Sequence, residues 1–212
     1  MTTTQLNELT YEPIKVHEKK VVNEYNELVL SHEDGFLNIT DDAELAAVEN
    51  KLLNIFTEEP EYLEPIIDLL GIYEITKERE QYNKLLEHAY KVALHRVADR
   101  DGTWGYDVIE WAWLENRCII RALQIGAMKC WKDGNTHEAK KVFQNLLKVN
   151  PGDNSGVRYQ LLGILEGMTA KQFDNMMGDT GFVPPAIPKW FDEKAKLHPE
   201  FTELLKKWEN WG

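Results

Sequence analysis

Few residues of this 212-residue chain have types and spacing suited to chemistry, and the spacing decides against most reactions. Three histidines stand directly before a glutamate: His17-Glu18, His32-Glu33 and His137-Glu138. A zinc-binding helix needs a second histidine four residues on, so that both imidazoles share a face with the glutamate as base. None of the three pairs has it. His88 and His95 lie seven residues apart, about two turns of one helix, which supplies at most half a metal site and suits paired surface histidines equally. Neither Cys118 nor Cys130 has a histidine beside it, and no G-x-S-x-G elbow occurs. The stretch "GDTGF" lacks the Lys-Ser/Thr pair and the preceding strand of a phosphate-binding loop. The expectation is a chain that is not an enzyme, with no catalytic residue, no cofactor and no metal.

Two groups of side chains remain. Arg117, Arg121 and Arg158 could present planar cationic forks to a peptide carboxylate. Trp104, Tyr106, Trp111 and Trp113 fall within ten residues, and their rings could stack on a ligand or fill wide gaps between helices. Arg117, Arg121 and Arg158 with Trp104, Trp111 and Trp113 are the candidate partner-binding set. The bland reading of both groups is structural. Arg158 follows a polar elbow, Asn150, Pro151, Asp153, Asn154 and Gly156, and precedes Tyr159. Pro151 stops the preceding helix, and Asp153 or Asn154 can cap the next. Gly156 is expected to remove a side chain where that turn packs closely. Arg158 and Tyr159 are expected to face the preceding helix pair, with Glu115 as the natural carboxylate for the guanidinium.

The elements that must hold these residues are helical throughout. Val21, Val22, Tyr25, Leu28 and Val29 recur at helical spacing within Ile14–Leu30. Leu45, Val48, Leu52, Leu53 and Phe56 form a stripe after a cap at Thr40 or Asp41, and Pro60 and Pro65 sit near the next helix start. Ile66, Leu69, Leu70 and Tyr73, then Leu85, Leu86, Ala89, Ala93 and Val97, read as an antiparallel hairpin. A helix from Val108 or Trp113 to Lys132 follows, then one capped by Thr136, one over 154–166 and one over 170–177. Two terminal helices close the chain, with Phe201, Leu204, Leu205 and Trp208 covering the last hairpin. No segment alternates as a strand does, so the expected class is all-α. The expected organisation is a flexible 1–12, N-terminal helices over 13–58, helical hairpins over 59–178, and a linker with capping helices over 179–212.

A 34-residue frame from Ile120 to Asp153 places Leu123, Gly126, Ala127 and Cys130 in one helix. It places Ala139, Phe143 and Leu146 in the next, with Pro151 closing. Small residues suit a tight helix crossing. The pattern resembles the tetratricopeptide repeat, departing from it at Leu123, Cys130 and Leu146. Trp113–Leu162 is similar to a segment shared by some bacterial repeat proteins and the suppressor-of-tumorigenicity repeat family. Glu115, Arg117 and Arg121 precede the repeat there, and the N-P-x-D-N-x-G-x-R-Y elbow follows it; Cys118 stands where that family has proline. The resemblance implies an irregular helical-hairpin solenoid and action by protein binding rather than by a reaction.

Charge narrows the partners. The chain carries a formal −12, and between Glu33 and Glu78 thirteen carboxylates meet only Lys51 and Lys77, a net −11. That stretch is either a solvated face or a docking surface for a basic partner. With 24 Lys and Arg against 36 Asp and Glu, nucleic acid is disfavoured. No apolar run approaches the roughly 18 residues of a membrane span. The first residues, "MTTTQLNELTYEPIK", lack the basic and apolar regions of a secretory signal. Cys118 and Cys130, twelve residues apart on one helix, would be roughly 18 Å apart, too far to bridge. A cytoplasmic setting is expected, with a protein or peptide partner; a homo-oligomer is open but not indicated. The alternative is a small-molecule-binding or enzymatic helical domain with a pocket in the Trp104–Trp113 and Arg117–Arg158 region.

Overall fold

The computed structural model describes residue 17 and residues 19–99, 102–105, 108–178 and 183–209, the side chains of 207–209 excepted. The expected flexible stretch 1–12, Tyr106 and the ring of Trp208 lie outside the described residues. Among the described residues there are ten α-helices and no strand. None of these helices is long and apolar enough to cross a membrane. The helices are α1 (Lys19–Leu30), α2 (Asp42–Glu58), α3 (Leu63–Thr76), α4 (Arg79–Val97), α5 (Leu114–Lys132), α6 (Thr136–Val149), α7 (Val157–Leu165), α8 (Ala170–Met177), α9 (Ala186–Lys194) and α10 (Thr202–Glu209). They fall into two compact units, one of Met1–Gly105 with Ala112–Ala122, the other of Tyr106–Trp111 with Leu123–Gly212. The long α5 contributes its first half to unit 1 and its second half to unit 2.

In unit 1, α1 packs on α2, α2 on α3 and α3 on α4, neighbours in sequence lying side by side. The expected hairpin is the α3–α4 pair. Asp41 caps α2 by accepting a 2.8 Å hydrogen bond from the Glu44 amide, the kind of cap that contributes about 1 kcal/mol. Helix α3 is buried almost all round: Leu63, Ile66, Leu69 and Ile72 are fully enclosed. A short 3-10 turn, Phe36–Asn38, approaches it so closely that a Cβ on Gly71 would lie 3.0 Å from Leu37. Lys77, in the left-handed region, turns the chain into α4. There Leu85, Leu86, Ala89, Ala93 and Val97 face inward, the stripe that the spacing predicts.

In unit 2, the second half of α5 passes to α6 through Gly134 (φ +89). The cap of α6 is Asn135, whose side chain accepts from the Glu138 amide at 3.3 Å, one residue before the expected Thr136. Both types cap helices, Asn somewhat better than Thr, and the apolar stripe alone does not separate the two positions. Leu123, Ala127, Ala139 and Phe143 are all fully buried. Helix α7 packs on α6, α8 and α9, and begins three residues later than expected. The C-terminal segment is tied down by a run of rings. Tyr159 meets Phe191 edge-on at 5.7 Å, and Phe191 meets Phe201 at 5.1 Å. Glu166 receives both Lys194 (3.0 Å) and His198 (2.8 Å), and Lys140 reaches Glu200 at 2.9 Å.

Candidate functional site

The most unusual chemistry of the molecule is a buried acidic cluster in unit 1. Glu64 and Asp68 stand four residues apart on α3, so both carboxylates leave the same face. Glu64 is only 7 % exposed, and its Oε2 accepts no hydrogen bond. The Tyr25 hydroxyl, arriving from α1, donates to Asp68 at 2.6 Å. Tyr62, just before α3, packs edge-on against Tyr25 at 5.5 Å and lies tilted against the His17 ring at 4.5 Å. From α4, Arg96 donates to the Glu61 carbonyl, and its Nη2 lies 3.4 Å from His17 Nε2; His17 Nδ1 is 3.4 Å from Glu59. The first half of α5 adds Glu115 and the buried thiol of Cys118.

The electrostatics of this cluster are dominated by burial and by like charge. Burial pushes the Glu64 carboxyl up to about 7, its own backbone opposes this, and Glu115 repels its charge more than Arg96 attracts it. Burial also raises Asp68, partly offset by the Tyr25 hydrogen bond and by Arg121. The Tyr25 and Tyr62 hydroxyls are pushed far above the ordinary phenol range by burial and by the surrounding carboxylates. Cys118 is raised by burial and by Glu64, which keeps it a protonated, unreactive thiol. Burial pulls Arg96 below its ordinary value, against the attraction of Glu61, Glu64 and Glu59.

These carboxylates belong to the acidic stretch that the sequence reads as a solvated face or a docking surface. Most of that stretch is indeed at the surface, but Glu64 is enclosed and Asp68 half-buried. One local signal marks them. Glu64, Asp68 and the fully buried Ile72 follow one another at four-residue steps, so an inward face of α3 carries two acids.

The candidate residues named from the sequence fall into both units. In unit 1, Trp104 is half-buried and bridges Ala98, Trp113 is 39 % exposed, Arg117 and Glu115 are half-buried, and Arg121 is exposed. In unit 2, Trp111 is half-buried, and the elbow is a folded network. Asn150 and Asp153 are buried, Pro151 is half-buried and Asn154 exposed. Asp153 accepts from the amides of Val157 (2.7 Å) and Arg158 (3.2 Å), so it is the residue that caps α7. The Arg158 guanidinium spans two partners: Nη1 donates to Asp153 Oδ2 and Nη2 to the Tyr159 hydroxyl, each at 2.7 Å. Burial pushes the Asp153 carboxyl up to about 6, against the pull of Arg158 and of the amides that it accepts from.

Two expectations about the elbow change. Gly156 adopts φ +74, and a Cβ there would make only ordinary contact with the Tyr159 ring; its role is left-handed backbone rather than close packing. The rings of the elbow also run forward: the Arg158 guanidinium lies 4.3 Å from the Tyr159 ring centre and 5.8 Å from that of Phe191 in α9. The paired histidines are separated by environment. His88 Nε2 lies 2.6 Å from the Pro60 carbonyl and packs edge-on against Phe56, while His95 is exposed.

Two clefts open on the surface of unit 1. One, of about 560 Å³, is lined by Ser31, His32, Glu33, Asp34, Asn38 and Glu44 among others. The second, of about 300 Å³, lies between α1 and α2 and is lined by Glu24, Glu27, Leu28, Lys51, Asn54 and Ile55 among others. Among the described residues, no group of three or more His, Cys, Asp or Glu is placed to hold a metal ion. No family model, no curated protein and no solved structure matches the chain.

Proposed function

We propose that the chain is a non-catalytic interaction module of irregular tetratricopeptide type, built of helical hairpins, which holds a basic segment of a protein partner on unit 1. The observation that carries this reading is the lining of the unit 1 clefts. One lining holds Glu33, Asp34 and Glu44 with His32, and the other Glu24 and Glu27 with Lys51, Glu24 also pairing with Lys20 at 3.7 Å; acids outnumber cations in both. A polyanion is repelled from such a surface, whereas a lysine- or arginine-rich segment is drawn to it and aligned by it. Side-by-side packing of α1 to α4 supports the hairpin architecture, and so does full burial of the small residues Ala127 and Ala139.

The arginine set takes a smaller part in this reading. Arg158 is committed to Asp153 and Tyr159 and acts as a strut of the elbow. Arg121 acts on Asp68 within unit 1, and Trp113, 39 % exposed at the start of α5, offers a partner an apolar ring. The test is affinity capture of the full chain with mass spectrometry, comparing wild type with the Glu33→Lys/Asp34→Lys double variant. Both positions are exposed, so the fold is preserved. A partner with a basic segment, retained by wild type and lost by the variant, is the expected result. Equal retention by both proteins counts against the reading, as does turnover of a small molecule without a protein partner.

A further inference from the structure

A large apolar side chain exposed singly is ordinary, but two together beside a cleft mark a place of contact. Leu37, in the 3-10 turn Phe36–Asn38, is 55 % exposed, and Ile75, near the end of α3, is 47 % exposed. The turn is firmly held. Phe36 is buried and meets the His32 ring edge-on at 5.4 Å, and the Asn38 side chain donates to the Asp34 carbonyl. With Phe36 turned inward, Leu37 lies over α3, where a Cβ on Gly71 would stand 3.0 Å from its Cδ2. Glycine inside a helix is unfavourable relative to alanine, so α3 gives up helix propensity at Gly71 to seat a leucine that still faces solvent. Ile75 follows Gly71 by four residues and leaves the same face of α3 one turn on. Leu37 and Ile75 therefore make one apolar strip. It adjoins the acid-lined clefts: Gly35 and Asn38, on either side of Phe36 and Leu37 in the chain, both line the cleft of about 560 Å³. Ser31 lines that cleft and the one of about 300 Å³ alike, so clefts and strip form a continuous tract. Glu33, Asp34 and Glu74 are exposed around the strip, with Lys77 as the cation at the end of α3.

We propose that the strip of Leu37 and Ile75 receives an apolar anchor of the partner's basic segment. The segment recognised is then a cationic one that carries a side chain the size of leucine, methionine or phenylalanine among its lysines and arginines. The anchor site rests on the reading of unit 1 as the receiver of basic segments and narrows it, because charge alone separates one polycation poorly from another. The two kinds of contact divide the work. The carboxylates of the clefts attract and align the segment, an effect that salt screens. Burial of the anchor against Leu37 and Ile75 adds contact that salt does not screen. Charge also decides against the other occupants of an exposed apolar strip. An anionic membrane is repelled by Glu33, Asp34 and Glu74. A second copy docking through the same face would bring like charge to like.

The test measures, by fluorescence anisotropy, binding of the full chain to three labelled peptides of equal length. One has lysines with interspersed leucines, one has serines in place of the leucines, and one has glutamates with the same leucines. Wild type is expected to hold the lysine–leucine peptide about fivefold or more tighter than the lysine–serine peptide, and not to hold the glutamate–leucine one. That advantage is expected to persist at raised salt. Leu37→Ser and Ile75→Ser should each remove most of it and leave affinity for the lysine–serine peptide unchanged. Urea unfolding accompanies Leu37→Ser, since Leu37 also packs over Gly71; where that variant is destabilised, Ile75→Ser carries the test. Equal affinity for the two cationic peptides, an advantage that survives both substitutions, or tight binding of the glutamate–leucine peptide would overturn the anchor. Binding to phosphatidylserine vesicles that both substitutions abolish would overturn it in favour of a membrane. If wild type holds both cationic peptides equally and Glu33→Lys/Asp34→Lys loses both, the anchor falls and the interaction reading stands. If it holds neither cationic peptide, both fall.

Discussion

The Tyr25 hydroxyl and the Asp68 carboxylate, 43 positions apart in the chain, meet at 2.6 Å and bind α1 to α3. Two half-buried groups that would otherwise be left short of partners satisfy each other. Tyr25→Phe removes the donor, keeps the ring against Tyr62, and leaves Asp68 in poor solvent. A loss of about 1–3 kcal/mol is expected, read by urea unfolding at unchanged m-value. A stability within experimental error of wild type would show that solvent serves Asp68 equally well.

The raised Glu64 carboxyl makes stability depend on pH. Its ordinary value is 4.5 and burial lifts it to about 7, so the folded state holds the proton more tightly than the unfolded state. The stabilisation is fully present below the unfolded value and is lost as pH rises through about 7, an effect on the order of 3 kcal/mol at most. Thermal unfolding across that range should show wild type weakening toward alkaline pH, with Glu64→Gln flattening the profile. Parallel profiles for the two proteins would contradict the assignment.

The elbow should behave as structure. Arg158→Ala strips Asp153 of its guanidinium and the Tyr159 hydroxyl of its donor, with an expected loss of about 1–3 kcal/mol. Arg158→Lys should not restore it, since one ammonium cannot reproduce a fork that places Nη1 on Asp153 and Nη2 on Tyr159. A lowered melting temperature in both variants is the expected outcome. Unaltered melting with lost partner binding would return Arg158 to the binding set.

Gly163 is set by contact, not by backbone. A Cβ there would lie 2.8 Å from the Phe173 ring and 3.1 Å from Trp131, both buried and themselves in contact. Gly163→Ala should therefore destabilise unit 2 by about 1–3 kcal/mol, despite the higher helix propensity of alanine. A gain in melting temperature would mean that the two rings yield easily.

Much of the fold was legible because apolar spacing along a helix is a local signal. The 170–177 helix and the stripe from Leu85 to Val97 emerge where the spacing puts them, and of the two capping types Thr40 and Asp41 the structure uses Asp41. Long-range partners leave no such trace. Nothing near Glu64 in the sequence announces Tyr25 or Glu115, so an acid on an inward face merges with its exposed neighbours. Nor does Arg158 announce Phe191, whose ring arrives from a helix 33 residues further on. Gly156 stands out by residue type in the elbow, but only its backbone angle, φ +74, separates left-handed backbone from close packing as the reason.

The account depends most on unit 1 being the face that receives a basic segment. Amide hydrogen exchange of the full chain, with and without a lysine-rich peptide, tests this most directly. Protection concentrated in α1, the 31–44 stretch and α3, and abolished in Glu33→Lys/Asp34→Lys, is the predicted result. Protection confined to α6 through α10, or none anywhere, would contradict it.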